Sequence, residues 1–276
     1  MTASDPVKRP VRSEAAARRP GERIGAAMAL SLVLGAALYA AFDNTGNSGN
    51  SGRTRAASQV PAITTPLQGA RFADFGSSKA SADARHVADW VADSRDNGDT
   101  EFIIVDKLAA KVYVFDLQAR LQAETPVLLG AASGDDSVPG IGTRPIANVL
   151  PQERTTPAGR FVAERGRNTD GEDVVWVDYD AAVSMHRVRN GNAQERRLAR
   201  LATPTIDDNR ISYGCINVPV AFFESHIGPI FKSRRAIVYV LPETRSVLQT
   251  FGSYDVAGAY AQRVSALSPS SRSRSQ

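Results

Sequence analysis

The hydrophobic pattern changes character along the chain. Ile24 to Phe42 is an uncharged apolar run of 19 residues, within the ~17–25 residues that cross a bilayer as a helix. Asp43 to Pro66 is rich in Gly, Ser, Asn and Thr, has no apolar period and predicts a flexible tether. Between Ala80 and Arg95, Val87, Trp90 and Val91 fall on one helical face and predict a short amphipathic helix. The period then shortens. FIIVD (102–106) and KVYVFD (111–116), joined by KLAA, predict a β-hairpin. PVLLGAAS (126–133) predicts a third strand, followed by a Gly/Pro-rich loop through Arg144. RTTPAGRFVAE (154–164) gives a turn at Pro157–Gly159 and then a strand. EDVVWVDY (172–179), AVSMHRV (182–188) and AIVYVL (236–241) read as further strands. The polar segment 190–209, helical at its centre, predicts an insertion or lid. PVAFFESHIG (219–228) predicts a short helix with Pro219 near its first turn and Gly228–Pro229 at its end.

Many short strands with small helices at the edges predict a mostly β fold, a β-sandwich or partly open barrel, preceded by an N-terminal transmembrane helix. The expected division is a basic N-terminus at 1–23, a signal anchor at 24–42, a linker at 43–67, a helical extension at 68–100, the main β domain at 101–243 and a tail at 244–276. The alternating Ser and Arg of the tail's end predict disorder there.

Charge sharpens this picture. The chain has 276 residues, 42% of them hydrophobic, enough for one sizeable domain with appendages. Its net charge of +4 is concentrated at the ends: residues 1–23 and 244–276 each carry +3, leaving −2 for the rest. The presumed domain has no basic surplus, which argues against nucleic acid as a partner. Lys8, Arg9, Arg12, Arg18, Arg19 and Arg23 precede the apolar run, so the positive-inside rule leaves the N-terminus in the cytoplasm and everything after Phe42 outside. The length of the basic region and of the apolar run favours an uncleaved anchor. A cleaved signal peptide would leave the domain on the same side.

The candidate chemistry centres on the one cysteine, Cys215, in RISYGCINVP (210–219). A lone cysteine forms no intramolecular disulfide, and with three scattered histidines it offers no zinc-ligand spacing. A free cysteine is most often a small buried hydrophobe. Gly214 permits the unusual backbone of a nucleophile turn. The helix expected from Pro219 would place Cys215 near a helix N-terminus, where a thiolate and an oxyanion are both favoured. Of the possible bases, His86 is expected exposed on the first helix and His226 at a helix end. His186 closes a predicted strand that could lie beside Cys215 and supply the proton acceptor of a thiol nucleophile. On spacing alone, His186 reads equally as an ordinary strand histidine.

SYGCIN (212–217) resembles the [S/T]-H-G-C-[hydrophobic]-[R/N] signature of the L,D-transpeptidases, the YkuD-like catalytic domain. FIIVDKLAAKVYVFD resembles the family's opening hairpin, TTPAGRF (155–161) its T-P-x-G-x-F motif, SMHRV (184–188) its upstream histidine and AIVYVL its closing strand, all in family order over residues 100–242. The resemblance implies peptidoglycan stem peptides as substrates. A cysteine attacks the meso-diaminopimelate carbonyl of a tetrapeptide stem, D-alanine leaves, and an amine resolves the thioester. It implies Cys215 as nucleophile and His186 as its base, with the histidine oriented by a nearby main-chain carbonyl, here that of Arg187. It further implies an oxyanion hole from the Gly214 and Cys215 N–H groups, site-supporting roles for Ser212, Tyr213 and Asn217, no cofactor and no metal. Acylation of the thiol by carbapenem-type inhibitors follows, as does a periplasmic domain held to the inner membrane by the N-terminal helix. Two departures stand out: Tyr213 replaces the motif histidine, and 29 residues separate His186 from Cys215, more than is usual in the family. Three alternatives stay open: an L,D-carboxypeptidase in which water resolves the thioester, attachment of a protein amine, and a non-catalytic wall-binding module.

Overall fold

Both faces of the central strands are apolar, and this decides the architecture. A computed structural model of the chain describes residues 69–232 and 235–267. The expected anchor, tether and Ser/Arg-rich end lie outside these residues. Among the described residues no helix is long and apolar enough to cross a membrane.

Helix α1 (Ala82–Ser94) starts at Ser81, whose hydroxyl accepts from the Ala84 N–H, and ends at Arg95 in a left-handed conformation. The hairpin β1 (Phe102–Asp106) and β2 (Lys111–Phe115) follows, then β3 (Leu121–Pro126) and the two-residue β4 (Leu129–Gly130). After 3-10 turns between 141 and 153 come β5 (Gly159–Arg167), β6 (Asp173–Asp178) and β7 (Val183–Arg187). Helix α2 (Arg197–Ala202), β8 (Arg210–Ser212) and β9 (Ile216–Val218) lead to α3 (Val220–Phe222), which continues into a π-helical turn, Phe223–Ile227. Strand β10 (Ala236–Val240) and helices α4 (Val247–Phe251) and α5 (Val256–Leu267) complete the described chain.

Eight strands form one sheet in the order β3-β2-β1-β10-β5-β6-β7-β9, and β4 pairs with β8 in a small ribbon. The pairs β1–β10 and β7–β9 are parallel, and the other pairs of the large sheet are antiparallel. Ile103, Val105, Val112 and Val114 from one side of the sheet share a core with Val175, Met185, Ile216 and Val218 from the other. The sheet therefore curls until its two ends enclose one interior. Leu128 closes the seam by exchanging both backbone hydrogen bonds with Asn217, each 2.9 Å.

The opposite faces of β1, β2 and β10 present Phe102, Ile104, Tyr113, Phe115, Ile237 and Tyr239 to α1, which adds Val87, Trp90 and Val91. Burial on both faces explains the unbroken apolar runs FIIVD, KVYVF and AIVYV. Each fully buried Val or Ile contributes roughly 1.5–3 kcal/mol here.

Two expectations are revised. The third strand is β3, at 121–126, whereas PVLLGAAS supplies only its last residue, Pro126, and the two residues of β4. Strand β3 lies at the sheet edge and is largely polar, so its sequence carries little strand signal. The tail begins as folded structure: Ser246 caps α4 in a reciprocal pair with Gln249, and Val247 and Val256 are buried in the α1-side core. Segment 190–209 is part of the crossover that parallel pairing of β7 with β9 requires, because parallel neighbours cannot be joined by a tight turn.

Candidate active site at the β7–β9 junction

Strands β7 and β9 pair with Met185 opposite Ile216, His186 opposite Asn217 and Arg187 opposite Val218. Side chains alternate, so Val183, Met185, Ile216 and Val218 enter the core, while Ser184, His186, Cys215 and Asn217 share the other face. Cys215 Sγ lies 3.7 Å from Ser184 Oγ and 3.8 Å from the Ala182 carbonyl. Cys215 is thus level with Ser184 and diagonal to His186. Diagonal neighbours on paired strands lie about 7–8 Å apart at Cα, a gap that side chains of this size can close. Both residues are nearly covered, at 6% and 5% exposure.

His186 Nδ1 is 2.8 Å from the Arg187 carbonyl oxygen. A carbonyl only accepts, so Nδ1 carries the proton and, in the neutral ring, Nε2 is the basic nitrogen. The Arg187 side chain turns away, over the Phe223 ring at 4.1 Å and onto Glu224 and Asp173. It lines a polar groove of about 500 Å³ with Arg165, Arg189, Glu172, Asp173 and Glu224. Arg165, Arg187 and Arg189 pair there with Glu172, Asp173 and Glu224, and neither Cys215 nor His186 lines the groove.

The turn before Cys215 is held from several directions. Gly214 has φ +126°, and a Cβ there would lie 2.6 Å from the Thr155 carbonyl oxygen. Conformation and space therefore both demand glycine. Ser212 Oγ accepts from the Gly214 N–H at 3.1 Å and donates to the Cys215 carbonyl at 2.6 Å. The Gly214 N–H, expected to help hold an oxyanion, is in this structure engaged by Ser212. Thr156 Oγ1 donates to the Gly214 carbonyl at 2.8 Å and accepts from the Gly130 N–H at 2.9 Å.

Behind Thr156 lies a fully buried lysine. Lys107 Nζ donates to the Thr156 carbonyl at 3.0 Å, the Gly134 carbonyl at 2.6 Å and Asp135 at 2.8 Å, and pairs with Glu243 at 3.4 Å. Burial opposes ionisation of Asp135, but hydrogen bonds from Lys107, Thr244 and the backbone at 243 and 244 hold its carboxyl well below the usual carboxylate range.

Asn217 donates to the Cys215 carbonyl at 3.2 Å and accepts from Arg197 Nη1 at 2.7 Å. Arg197, from α2 in the crossover, is 3% exposed and also pairs with Glu195. Tyr213, half-buried, is engaged through its ring: the Arg154 guanidinium carbon lies 4.0 Å from the ring centroid.

Of the expected site residues, Ser212, Gly214, Cys215, Asn217, His186 and the Arg187 main chain come together, and Tyr213 flanks them. The expected helix N-terminus at Cys215 does not form, because β9 intervenes and α3 starts only at Val220. His86 is half-buried, with Nε2 2.9 Å from Ser253 Oγ, and His226 packs its ring on Phe222 at 5.0 Å. Sequence reasoning missed Thr156, Lys107, Arg154 and Arg197. The Thr-Thr-Pro stretch signals a turn, and nothing local marks its hydroxyl as a brace for a residue 58 positions away.

No family model and no curated protein matches the chain. Among solved structures, it is similar to the catalytic domain of an Enterococcus faecium L,D-transpeptidase, with 18% identity over 52% of this chain and 98% of that one, at a TM-score of 0.31. It is similar to the helical cell shape determining protein Pgp2 of Campylobacter jejuni, with 14% identity over 57% of this chain and 55% of that one, at a TM-score of 0.36. A third is the L,D-transpeptidase LdtMt1 in complex with imipenem, with 17% identity over 52% and 60% and a TM-score of 0.30. The chain spans little more than half the length of the Pgp2 chain.

Proposed function

We propose that the chain is a cysteine-dependent L,D-transpeptidase acting on peptidoglycan stem peptides. The observation that supports it most directly is the placement of Cys215, on a glycine turn, diagonal to His186 on the same face of the β7–β9 pair, with the His186 Nδ1 held by the Arg187 carbonyl so that Nε2 is the basic nitrogen. The resemblance of SYGCIN, SMHRV and TTPAGRF to family motifs supplies the substrate class.

In the proposed reaction, His186 Nε2 takes the thiol proton and Sγ attacks the L-centre carbonyl of diaminopimelate. The C–N bond to D-alanine breaks as the tetrahedral intermediate collapses, and the departing amine receives the proton from His186. An acceptor amine then attacks the thioester and releases Cys215 as the thiol. A non-catalytic wall-binding module would need neither the fixed imidazole nor the braced turn. The same reading places the domain in the periplasm, tethered through residues 24–42.

Incubation of the full chain with a tetrapeptide stem, followed by intact mass, tests this. The expected result is a thioester on Cys215 with loss of D-alanine, absent from Cys215→Ala. Labelling of that variant at the wild-type rate would sink the proposal. Digestion of treated sacculi separates an amine acceptor from water.

A further inference from the structure

We propose that Arg154, laid over the Tyr213 ring beside the nucleophile turn, binds the terminal carboxylate of the donor peptide's leaving residue. The inference rests on the stem-peptide reading above and adds the residue that would select the donor.

Position comes first. Residues 154–156 cross the turn that carries Cys215: the Thr155 carbonyl abuts Gly214, Thr156 Oγ1 bonds the Gly214 carbonyl at 2.8 Å, and Arg154 stacks on Tyr213. The leaving residue's carboxylate lies one residue beyond the scissile carbonyl, and one residue spans at most ~3.3–3.6 Å. A cation adjoining the turn is therefore in the right range.

The second observation is the state of the guanidinium. Arg144, Arg187, Arg189, Arg197 and Arg210 each pair with a carboxylate. Arg154 has none among the described residues. Its Nη2 makes one long hydrogen bond, 3.4 Å, to the Val149 carbonyl, and its buried Nε has no partner there.

Third, the guanidinium carbon sits 4.0 Å from the Tyr213 ring centroid, a cation–π contact that consumes none of its N–H donors and leaves them to receive a carboxylate. Arg154 is only half-buried, and since its Nε is itself buried a ligand carboxylate would meet it from the Nη side. This also gives Tyr213 a role that its hydroxyl does not supply: its ring holds the guanidinium beside the turn.

The test is peptide binding measured by calorimetry in the Cys215→Ala background, where turnover is blocked. Three tetrapeptides are compared: the free acid, the C-terminal carboxamide, and a peptide amidated only on the diaminopimelate side-chain carboxylate. The acid should bind about 10- to 100-fold more tightly than the carboxamide. Arg154→Gln should bring the two within about twofold, Tyr213→Phe should keep the preference, and Tyr213→Ala should weaken it. A preference that survives Arg154→Gln, or an equal fall for acid and carboxamide, overturns the proposal. A preference that tracks side-chain amidation alone overturns the assignment to the leaving residue. Should Arg154→Gln fail to fold, the Tyr213 pair decides. D-Alanine release by the wild type, read separately, tests the transpeptidase reading, so failure of one is distinguishable from failure of the other.

Discussion

Thr156 and Gly214, 58 residues apart, are joined by a 2.8 Å hydrogen bond from the threonine hydroxyl to the glycine carbonyl. The same hydroxyl accepts from the Gly130 N–H at 2.9 Å, so one side chain fastens the turn before Cys215 to β4. Thr156→Val keeps the shape and leaves both backbone groups unpaired in a buried place. It should cost about 1–3 kcal/mol in urea denaturation and slow thiol acylation. Unchanged stability together with unchanged acylation would count against the brace.

At Gly214 an alanine would meet the Thr155 carbonyl oxygen at 2.6 Å in a backbone that L residues rarely adopt. Backbone strain alone amounts to roughly 1–3 kcal/mol. Gly214→Ala should therefore lower the melting temperature and sharply reduce acylation. The control is Gly171→Ala, which has a positive φ but open space around it and should leave acylation intact.

His186→Gln keeps a donor toward the Arg187 carbonyl but has no basic nitrogen. Acylation by a tetrapeptide should fall about 10²- to 10⁴-fold, the usual contribution of a positioned general base. Stopped-flow or quenched mass spectrometry at several pH values gives the rate. A loss below tenfold would move the base elsewhere.

Acid sensitivity follows from Asp135. Its folded carboxyl titrates below the unfolded value of about 3.9. The stabilisation is complete well above that value and is lost as pH falls through and below it. Melting temperature followed from pH 7 down to pH 2 should drop through this window, and Asp135→Asn should flatten the drop while lowering the plateau.

Lys107→Met removes the cation between Asp135 and Glu243, both almost fully buried. Stranding buried charge costs about 3–5 kcal/mol, and equilibrium denaturation should show a loss of this size. Because Lys107 also bonds the Thr156 carbonyl, acylation should slow as well.

How much of this was legible beforehand depended on whether the signal was local. Strands β1, β2, β6 and β10 are dense in Val, Ile and aromatics because both or one of their faces are buried. Edge strand β3 was invisible because LQAETP is largely solvated. Helices α4 and α5 carry only a weak sequence signal, since only Val247 and Val256 among their residues are buried. Cys215 and His186 could be named from motif order, but their adjacency is a property of β7–β9 pairing. The supposed helix N-terminus at Cys215 failed because three residues of strand fit between it and Pro219. Arg154 and Arg197 reach the site through tertiary contact alone.

The parallel pairing of β7 with β9 has a last consequence. Register between the two strands sets the distance between thiol and imidazole, and the 29-residue spacing between them is whatever length the connecting excursion takes. That excursion is free to lengthen, shorten or be exchanged without displacing either reactive atom, provided something equivalent to Arg197 still docks on Asn217. Spacing in such a protein is thus a poor ruler for recognising kin, whereas strand neighbourhood is a faithful one.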